Sequence, residues 1–204
     1  MPIFKYQNKK TGEVTFMDAN KIAKAFEFAY KAHNGVTRKL SFMPYILHPM
    51  ESAFIVQSIP DIKENAVIAA VLHDVVEDTD YTIEDIEKRF GKEIRDLVAL
   101  ESEDKMPHLP KEESWKLRKE AFLSHLKNAS FEEKVICLAD KLSNIKQTVV
   151  DLALRGPDIW KKFNMKDVSL QKWYYESVLE ALKDLSSFDA YKEFELCVKY
   201  VFKE

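Results

Sequence analysis

Glycine is scarce in this chain, at 4 of 204 residues. That leaves no material for a glycine-rich phosphate loop and suits a fold built mainly of helices. Cysteine is scarcer still, with only Cys137 and Cys197, each in a helical pattern among apolar neighbours. Neither a disulfide framework nor a thiolate metal site follows from two such residues, and both read as reduced, buried side chains of a cytoplasmic protein. An excess of one charge is missing as well. The 31 Lys and Arg against 34 Asp and Glu leave a net charge of −3, which gives no support for a nucleic-acid binder or a basic membrane-surface protein. No apolar run approaches the roughly 20 residues of a membrane-spanning helix. The opening MPIFKYQNKK lacks the apolar segment of a secretion signal.

What is present is an ordinary globular composition, 46% hydrophobic and 32% charged, in a length that suits one large domain. Residues 3–17 alternate around Lys10-Thr11-Gly12 and predict a short β-hairpin. Asp18 or Asn20 caps a helix running to about Ala32, with Gly35 past its end. Pro44 and Pro49 exclude regular helix before about Met50, which places His48 in a stiff turn between them. A helix from about Met50 to Ser58 follows, then a central one from about Ile62 to Glu77. Thr82 with Asp85, and Ser130 with Glu133, have capping-box spacing. They open helices that Gly91 and Gly156-Pro157 end. Further helices are predicted over residues 92–100, 112–127, 167–185 and 189–202. The proline-containing stretch 101–113 reads as a loop long enough to serve a site. No repeat, low-complexity segment or linker appears. The expected fold is a single all-α domain of about ten helices spanning 1–204, with a β-hairpin at 1–17, a core at 18–150 and C-terminal helices at 151–204.

One stretch stands out, Ala69 to Thr79, AAVLHDVVEDT. Residues 66–72 are all apolar, and four polar groups then emerge together: His73, Asp74, Glu77 and Asp78. In a helix His73 lies one turn from Glu77, and Asp74 one turn from Asp78. Burying so much polarity costs several kcal/mol unless it is paired, and a metal ion is the economical partner. Two further groups suit the same role. His48 sits between prolines, and Asp140 interrupts the apolar face of the helix Val135, Ile136, Leu138, Ala139, Leu142, Ile145. Its only neighbouring cation, Lys141, is expected to point elsewhere. Singly, a histidine in a turn is more often structural. Together His48, His73, Asp74 and Asp140 form a mixed imidazole and carboxylate set. Such a set favours a divalent first-row ion, Mn²⁺ first, with Fe²⁺, Co²⁺ and Ni²⁺ as alternatives.

The order His48, His73-Asp74, Asp140 resembles the HD-domain metal-dependent phosphohydrolases. The segments AHNGVTRK…PYILHP, AAVLHDVVEDT and LADKLSNI are similar, within that family, to the (p)ppGpp hydrolase domain of RelA/SpoT-type enzymes. The similarity spans residues 20–150, which makes that stretch the expected catalytic core. No synthetase domain follows, so the nearest type is the stand-alone small alarmone hydrolase. The resemblance implies an HD-domain helical bundle that removes the 3′-pyrophosphate of guanosine polyphosphates. It implies His48, His73, Asp74 and Asp140 as Mn²⁺ ligands and Glu77 and Asp78 as the acids that handle the attacking water. It also implies Arg38, Lys39, Lys105 and Asn144 as nucleotide contacts, Arg38 stacking on the base. The partner is then a small-molecule nucleotide, with no nucleic acid and no membrane; the oligomeric state is left open.

Two departures from the resemblance bear on the substrate. Residues 40–43, LSFM, form a link one residue longer than usual, and Ser143 stands where histidine or tyrosine is usual. Both are expected to touch the nucleotide pocket rather than the metal. They keep two other readings open: the same fold acting on an adenine alarmone, NADPH or a nucleoside monophosphate, or a domain that binds a nucleotide without cleaving it. His33 reads as a helix-end histidine favoured by the helix dipole, and His108 and His125 as solvated. The aromatics of the C-terminal helices read as packing residues. Trp160, Lys161 and Lys162 are candidates to close one side of the pocket, and Lys111 and Arg118 to attract a polyanion.

Overall fold

The computed structural model describes residues 3–7, 14–101, 106, 108 and 110–203. Strands β1 (Ile3–Gln7) and β2 (Val14–Asp18) pair antiparallel, with Ile3 opposite Asp18 and Gln7 opposite Val14. The expected turn at Lys10-Thr11-Gly12 lies outside the described residues. Met17 of β2 is buried in the core, so the strand pair is tied to the helices, which a pair this small needs for stability. Asp18 ends β2 and caps α1 (Ala19–Ala32), its carboxylate accepting from Asn20 N at 2.9 Å. The backbone N–H of Asp18 donates to the Glu64 carboxylate.

Helix α2 (Leu47–Ser58) begins three residues earlier than the prolines suggest. Pro49 falls within its first turn. The first intrahelical bond there runs from Met50 N to Ile46 O, so the N–H that proline lacks has no helical acceptor to lose. His48 therefore lies on a regular helical turn and not in a loop. The predicted central helix is divided in two: α3 (Glu64–Leu72) stops before His73-Asp74, and a single turn, α4 (Val75–Asp78), follows. Asp78 N still bonds Asp74 O at 2.9 Å, which preserves the one-turn spacing of Asp74 and Asp78.

Helix α5 (Ile83–Phe90) and the long helix α8 (Phe131–Arg155) carry both reciprocal capping boxes as predicted, Thr82 with Asp85 and Ser130 with Glu133. Gly91 and Gly156 end them at φ +92° and +70°, values that glycine adopts without strain. Helix α6 spans Lys92–Glu101 and α7 spans Lys111–Leu126. A short 3₁₀ segment, Gly156–Lys162, follows α8. Then come α9 (Val168–Ala181) and α10 (Asp189–Val201), separated by a 3₁₀ turn, Lys183–Leu185, where a longer helix was expected.

Every residue of α3 from Ala66 to Leu72 is buried. A helix apolar all round has to be surrounded, and α1, α2, α6 and α8 pack against it. Helix α8 in turn carries α2 on one side and α10 on another. Among the described residues no helix is long and apolar enough to cross a membrane. The consequence for function is positional: the C-terminal end of α3, the first turn of α2 and the middle of α8 meet inside the bundle. Because α8 starts on its capping box, Ser130→Ala is expected to lower stability by about 1 kcal/mol. At this chain length that is a fall in Tm of about 2–4 °C, readable by thermal denaturation.

Candidate metal centre

At the meeting point of the three helices stand His48 from α2, His73 and Asp74 from the end of α3, and Asp140 from α8. His48, His73 and Asp140 are 3%, 1% and 4% exposed. His48 Nε2 lies 3.3 Å from Asp74 Oδ2 and 3.1 Å from Asp140 Oδ1. His73 Nε2 lies 3.1 and 3.5 Å from the same two oxygens. The two rings meet edge to face with centroids 5.1 Å apart. One donor atom each from His48, His73 and Asp74 lies within 4.8 Å of the other two, and Asp140 Oδ1 from α8 approaches the two imidazole nitrogens at 3.1 and 3.5 Å.

The histidine geometry fits a cation. His73 Nδ1 is 2.8 Å from Ala70 O, an oxygen that only accepts, so Nδ1 carries hydrogen and the neutral ring presents its lone pair at Nε2. That Nε2 is buried and has no well-aligned hydrogen-bond partner. Burial works to raise the Asp74 carboxyl, but the imidazoles of His73 and His48 outweigh it and hold Asp74 well below the usual carboxylate range. Burial opposes ionisation of Asp140 too. The Lys141 ammonium beside it and the two imidazoles overcome this and keep it well below that range. Burial alone would lower His73; the two carboxylates reverse this and push it well above its ordinary value. Two buried anions thus hold positive charge at this point, as protonated imidazole or as a divalent ion. A set of two imidazole nitrogens and two carboxylates suits the ion. Asp140 is further oriented by Asn144 Nδ2, which donates to Oδ1 at 2.6 Å. Lys141 does not point elsewhere as expected: its ammonium pairs with Asp140 Oδ2, while Oδ1 faces the histidines and Asn144.

A cavity of about 370 Å³ opens over this cluster. Glu77 and Asp78 lie in its wall, as do Arg38, Lys39 and Asn144. Lys105 lies outside the described residues. Tyr45, which the sequence reading passed over, joins the two acidic groups. Its hydroxyl is 2.7 Å from Asp74 Oδ2 and 3.0 Å from Asp78 Oδ2. Burial first, and then the charges of Asp74 and Asp78, push this phenol above its usual range, so it remains a donor. The available signal was its place three residues before His48. His33 is buried behind it, ring centroids 4.8 Å apart, and neither of its ring nitrogens has a hydrogen-bond partner. Burial, opposed by Asp74 and Asp78, lowers its pKa, so it is a neutral support for Tyr45 rather than a charged partner of the helix end.

The basic side of the cavity comes from Arg118, Lys119 and Lys141, with Lys119 Nζ 4.7 Å from the Tyr174 ring centroid. The C-terminal region supplies another wall through Phe163, Asn164, Met165, Tyr174 and Tyr175, where the sequence suggested packing alone. Trp160 takes no part; it is buried and stacks on Phe202 at 5.7 Å. Lys161 is exposed and pairs with Asp158 at 2.7 Å. The longer link at residues 40–43 forms the tip of a hairpin-like turn held by Arg38 N to Met43 O at 3.0 Å and Tyr45 N to Val36 O at 2.9 Å. Arg155 anchors that tip, donating to Leu40 O at 2.8 Å while its other guanidinium nitrogen pairs with buried Asp151 at 3.1 Å. Ser143 lies away from the cavity, against His48 Nδ1 at 2.9 Å, so this departure touches the metal side and not the nucleotide pocket.

A site whose anions need a cation is stabilised by supplying one. Mn²⁺ at a hundredfold excess over its Kd is expected to stabilise the fold by about 2.7 kcal/mol, raising Tm by roughly 5–10 °C. Asp140→Asn is expected to remove most of that rise in a calorimetric scan with and without metal.

The chain is similar to known proteins in sequence and in fold. The HD domain family matches residues 25–167. The guanosine-3′,5′-bis(diphosphate) 3′-pyrophosphohydrolase MESH1 of Xenopus tropicalis is 35% identical over 181 residues, 88% of this chain and 92% of the relative. The Homo sapiens protein of the same name is 32% identical over 92% of this chain and 96% of its own. Among solved structures, a metazoan orthologue of SpoT described as hydrolysing ppGpp superposes with a TM-score of 0.68 at 29% identity, covering 91% of this chain and 96% of that one. A protein from Listeria monocytogenes EGD-e superposes with a TM-score of 0.67 at 33% identity over 77% of this chain. With most of its length matched in sequence and in fold, this chain belongs to the HD-domain family.

Proposed function

We propose that this chain is a metal-dependent hydrolase of guanosine polyphosphates. It would add water across the ester bond between ribose O3′ and the pyrophosphate of ppGpp or pppGpp, hydroxide going to phosphorus and a proton to O3′, to release GDP or GTP and pyrophosphate. The observation that carries the reading is the convergence of two buried imidazole nitrogens and two ionised carboxylates at the floor of a cavity with a basic wall. The relatives named for this reaction match nearly end to end. His48, His73, Asp74 and Asp140 would hold the ion, with Mn²⁺ as the assignment that suits the donor set. Bound there, a divalent ion supplies Lewis acidity, acidifying a water and offsetting phosphate charge.

The remaining work falls to side chains. Glu77 and Asp78 stand one turn beyond His73 and Asp74 on the cavity wall, placed to take the proton of the attacking water and return one to the leaving oxygen. Tyr45 lies between the two acids, its one hydroxyl hydrogen given to Asp74 Oδ2 at 2.7 Å, with Asp78 Oδ2 the alternative acceptor at 3.0 Å. Arg38, Lys39, Arg118 and Lys119 in the cavity lining would offset the charge of a polyphosphate. Arg38 has the planar group suited to stacking on a base. Asn144 serves both sides, orienting Asp140 and facing the cavity. Lys105 remains a proposed phosphate contact on the resemblance alone. We further place the protein in the cytoplasm and treat residues 1–204 as one domain, with 18–150 as its catalytic core.

The test is pyrophosphate release with added Mn²⁺, run beside a panel of adenine alarmones, NADPH and nucleoside monophosphates. Guanosine polyphosphates are expected to lead the panel; a strong preference for another nucleotide sinks the substrate assignment. Glu77→Gln and Asp78→Asn are each expected to lower kcat by roughly 10²–10⁴. Activity that survives Asp140→Ala or prolonged chelation defeats the metal reading. Arg155→Ala should release the tip beneath Arg38 and Lys39, raising KM about tenfold, the worth of a charged hydrogen bond near 1.4 kcal/mol, with a smaller change in kcat.

A further inference from the structure

His48 and His73 face the same point, but they are held there by different means. His73 Nδ1 is fixed by a carbonyl of its own helix, Ala70 O at 2.8 Å. No side-chain change alters that contact. His48 Nδ1 instead points toward α8, where Ser143 Oγ stands 2.9 Å away. The same hydroxyl is 2.8 Å from Glu51 Oε2, one turn beyond His48 on α2. A hydroxyl has one hydrogen and an ionised carboxylate only accepts. Ser143 therefore gives its hydrogen to Glu51 and has a lone pair left for His48, which must donate from Nδ1. The direction of the relay is forced. It leaves the His48 lone pair on Nε2, the atom 3.1 Å from Asp140 Oδ1 and 3.3 Å from Asp74 Oδ2.

The surroundings protect this arrangement. Ser143 and His48 are buried, so water does not compete for their bond. Glu51 is partly exposed, but Lys146 Nζ holds it at 3.1 Å and is itself tied to Glu193 of α10 at 3.2 Å. One line of contacts thus runs from the ion site through α8 and back to α2, and then to α10. Ser143 is absent from the cavity lining, so its contacts serve the ion site rather than the nucleotide.

We propose that Ser143, anchored by Glu51, is a positioning residue that sets the tautomer and tilt of His48 and thereby the affinity of the centre for its divalent ion. This rests on the metal reading given above. Partners of ligand histidines of this kind typically change metal affinity 10–100-fold when removed. Glu51→Ala tests the direction of the relay. Without the carboxylate, the Ser143 hydrogen is free to turn toward His48 Nδ1 and favour the tautomer that puts hydrogen on Nε2.

The experiment measures Mn²⁺ affinity of the full chain by competition with a fluorescent chelator. It also records the visible absorption of the Co²⁺-loaded protein and the Tm of the metal-free form. Ser143→Ala and Glu51→Ala are each expected to weaken Mn²⁺ binding about 10–100-fold and to change the Co²⁺ spectrum. KM for the nucleotide at saturating Mn²⁺ should stay within about twofold of the parent, an estimate that follows from a loss confined to metal affinity. Both variants binding Mn²⁺ as tightly as the parent, with an unchanged Co²⁺ spectrum, overturn the relay. If Ser143→Ala does not fold, Glu51→Ala, at a partly exposed site, decides the matter alone. A parent protein that binds no divalent ion removes the metal reading and the relay together. A parent that binds, with variants that bind equally well, removes the relay only.

Discussion

Charged groups are costly to bury in a helical bundle unless each answers the charge of another. Here two imidazoles and two carboxylates are taken out of water at one point, at a desolvation cost of several kcal/mol per ion. The arrangement holds because both carboxylates face both Nε2 atoms within 3.5 Å. Much of the architecture follows from keeping those four groups together. Helix α3 is apolar on every side from Ala66 on, so that it can be driven through the middle of the bundle, and it stops at His73. Helix α2 starts early enough to place His48 on a rigid turn. Helix α8, at 25 residues, is long enough to carry Asp140 and Asn144 at the site, Ser143 behind it, and Arg155 under the loop that bears Arg38 and Lys39.

The cavity beside this centre is lined by charge of both signs. Its acids include Asp74 and Asp78, with the Tyr45 hydroxyl within 3.0 Å of both. Its cations are Arg38 and Lys39 from the loop before α2, and Arg118, Lys119 and Lys141 from α7 and α8, Lys141 being paired with Asp140. The aromatic side chains of α9 complete the wall. Burial and the nearby Asp140 charge, partly offset by Lys141, push the Tyr175 phenol up to about 12, so it stays uncharged beside the ligand space.

The parts of this structure visible in the chain were those written in local chemistry. Capping boxes at Thr82 and Ser130, glycine stops at Gly91 and Gly156, and the unbroken apolar run Ala66–Leu72 each follow from contacts within a few residues, and each appears as read. The meeting of His48, His73, Asp74 and Asp140 was legible for a related reason, since lone polar groups inside apolar helices demand partners. Local reading failed where spacing has two solutions. Pro49 suits either a loop or the first turn of a helix, and only packing of α2 on α8 selects the helix. Lys141 sits beside Asp140 in sequence, but its direction depends on the Phe122 ring, 5.2 Å from its Nζ, which arrives from another helix.

The sequence by itself determined which groups are candidates, because residue type and periodicity decide what must be buried and what then needs a partner. It determined the helical class, the two N-terminal strands and the four polar side chains that converge. Only the tertiary structure decided how they are used. It brought Tyr45 between two acids, placed Ser143 behind His48 instead of in the cavity, and made a wall of residues 163–165 and α9. Those assignments rest on contacts between residues as far apart as Leu40 and Arg155, |i−j| 115. No local pattern encodes such contacts, since they exist only once the helices have packed. The stretch His73-Asp74 shows both levels at once. Its chemistry is plain in the chain, while its position at the break between α3 and α4, facing two other helices, belongs to the fold.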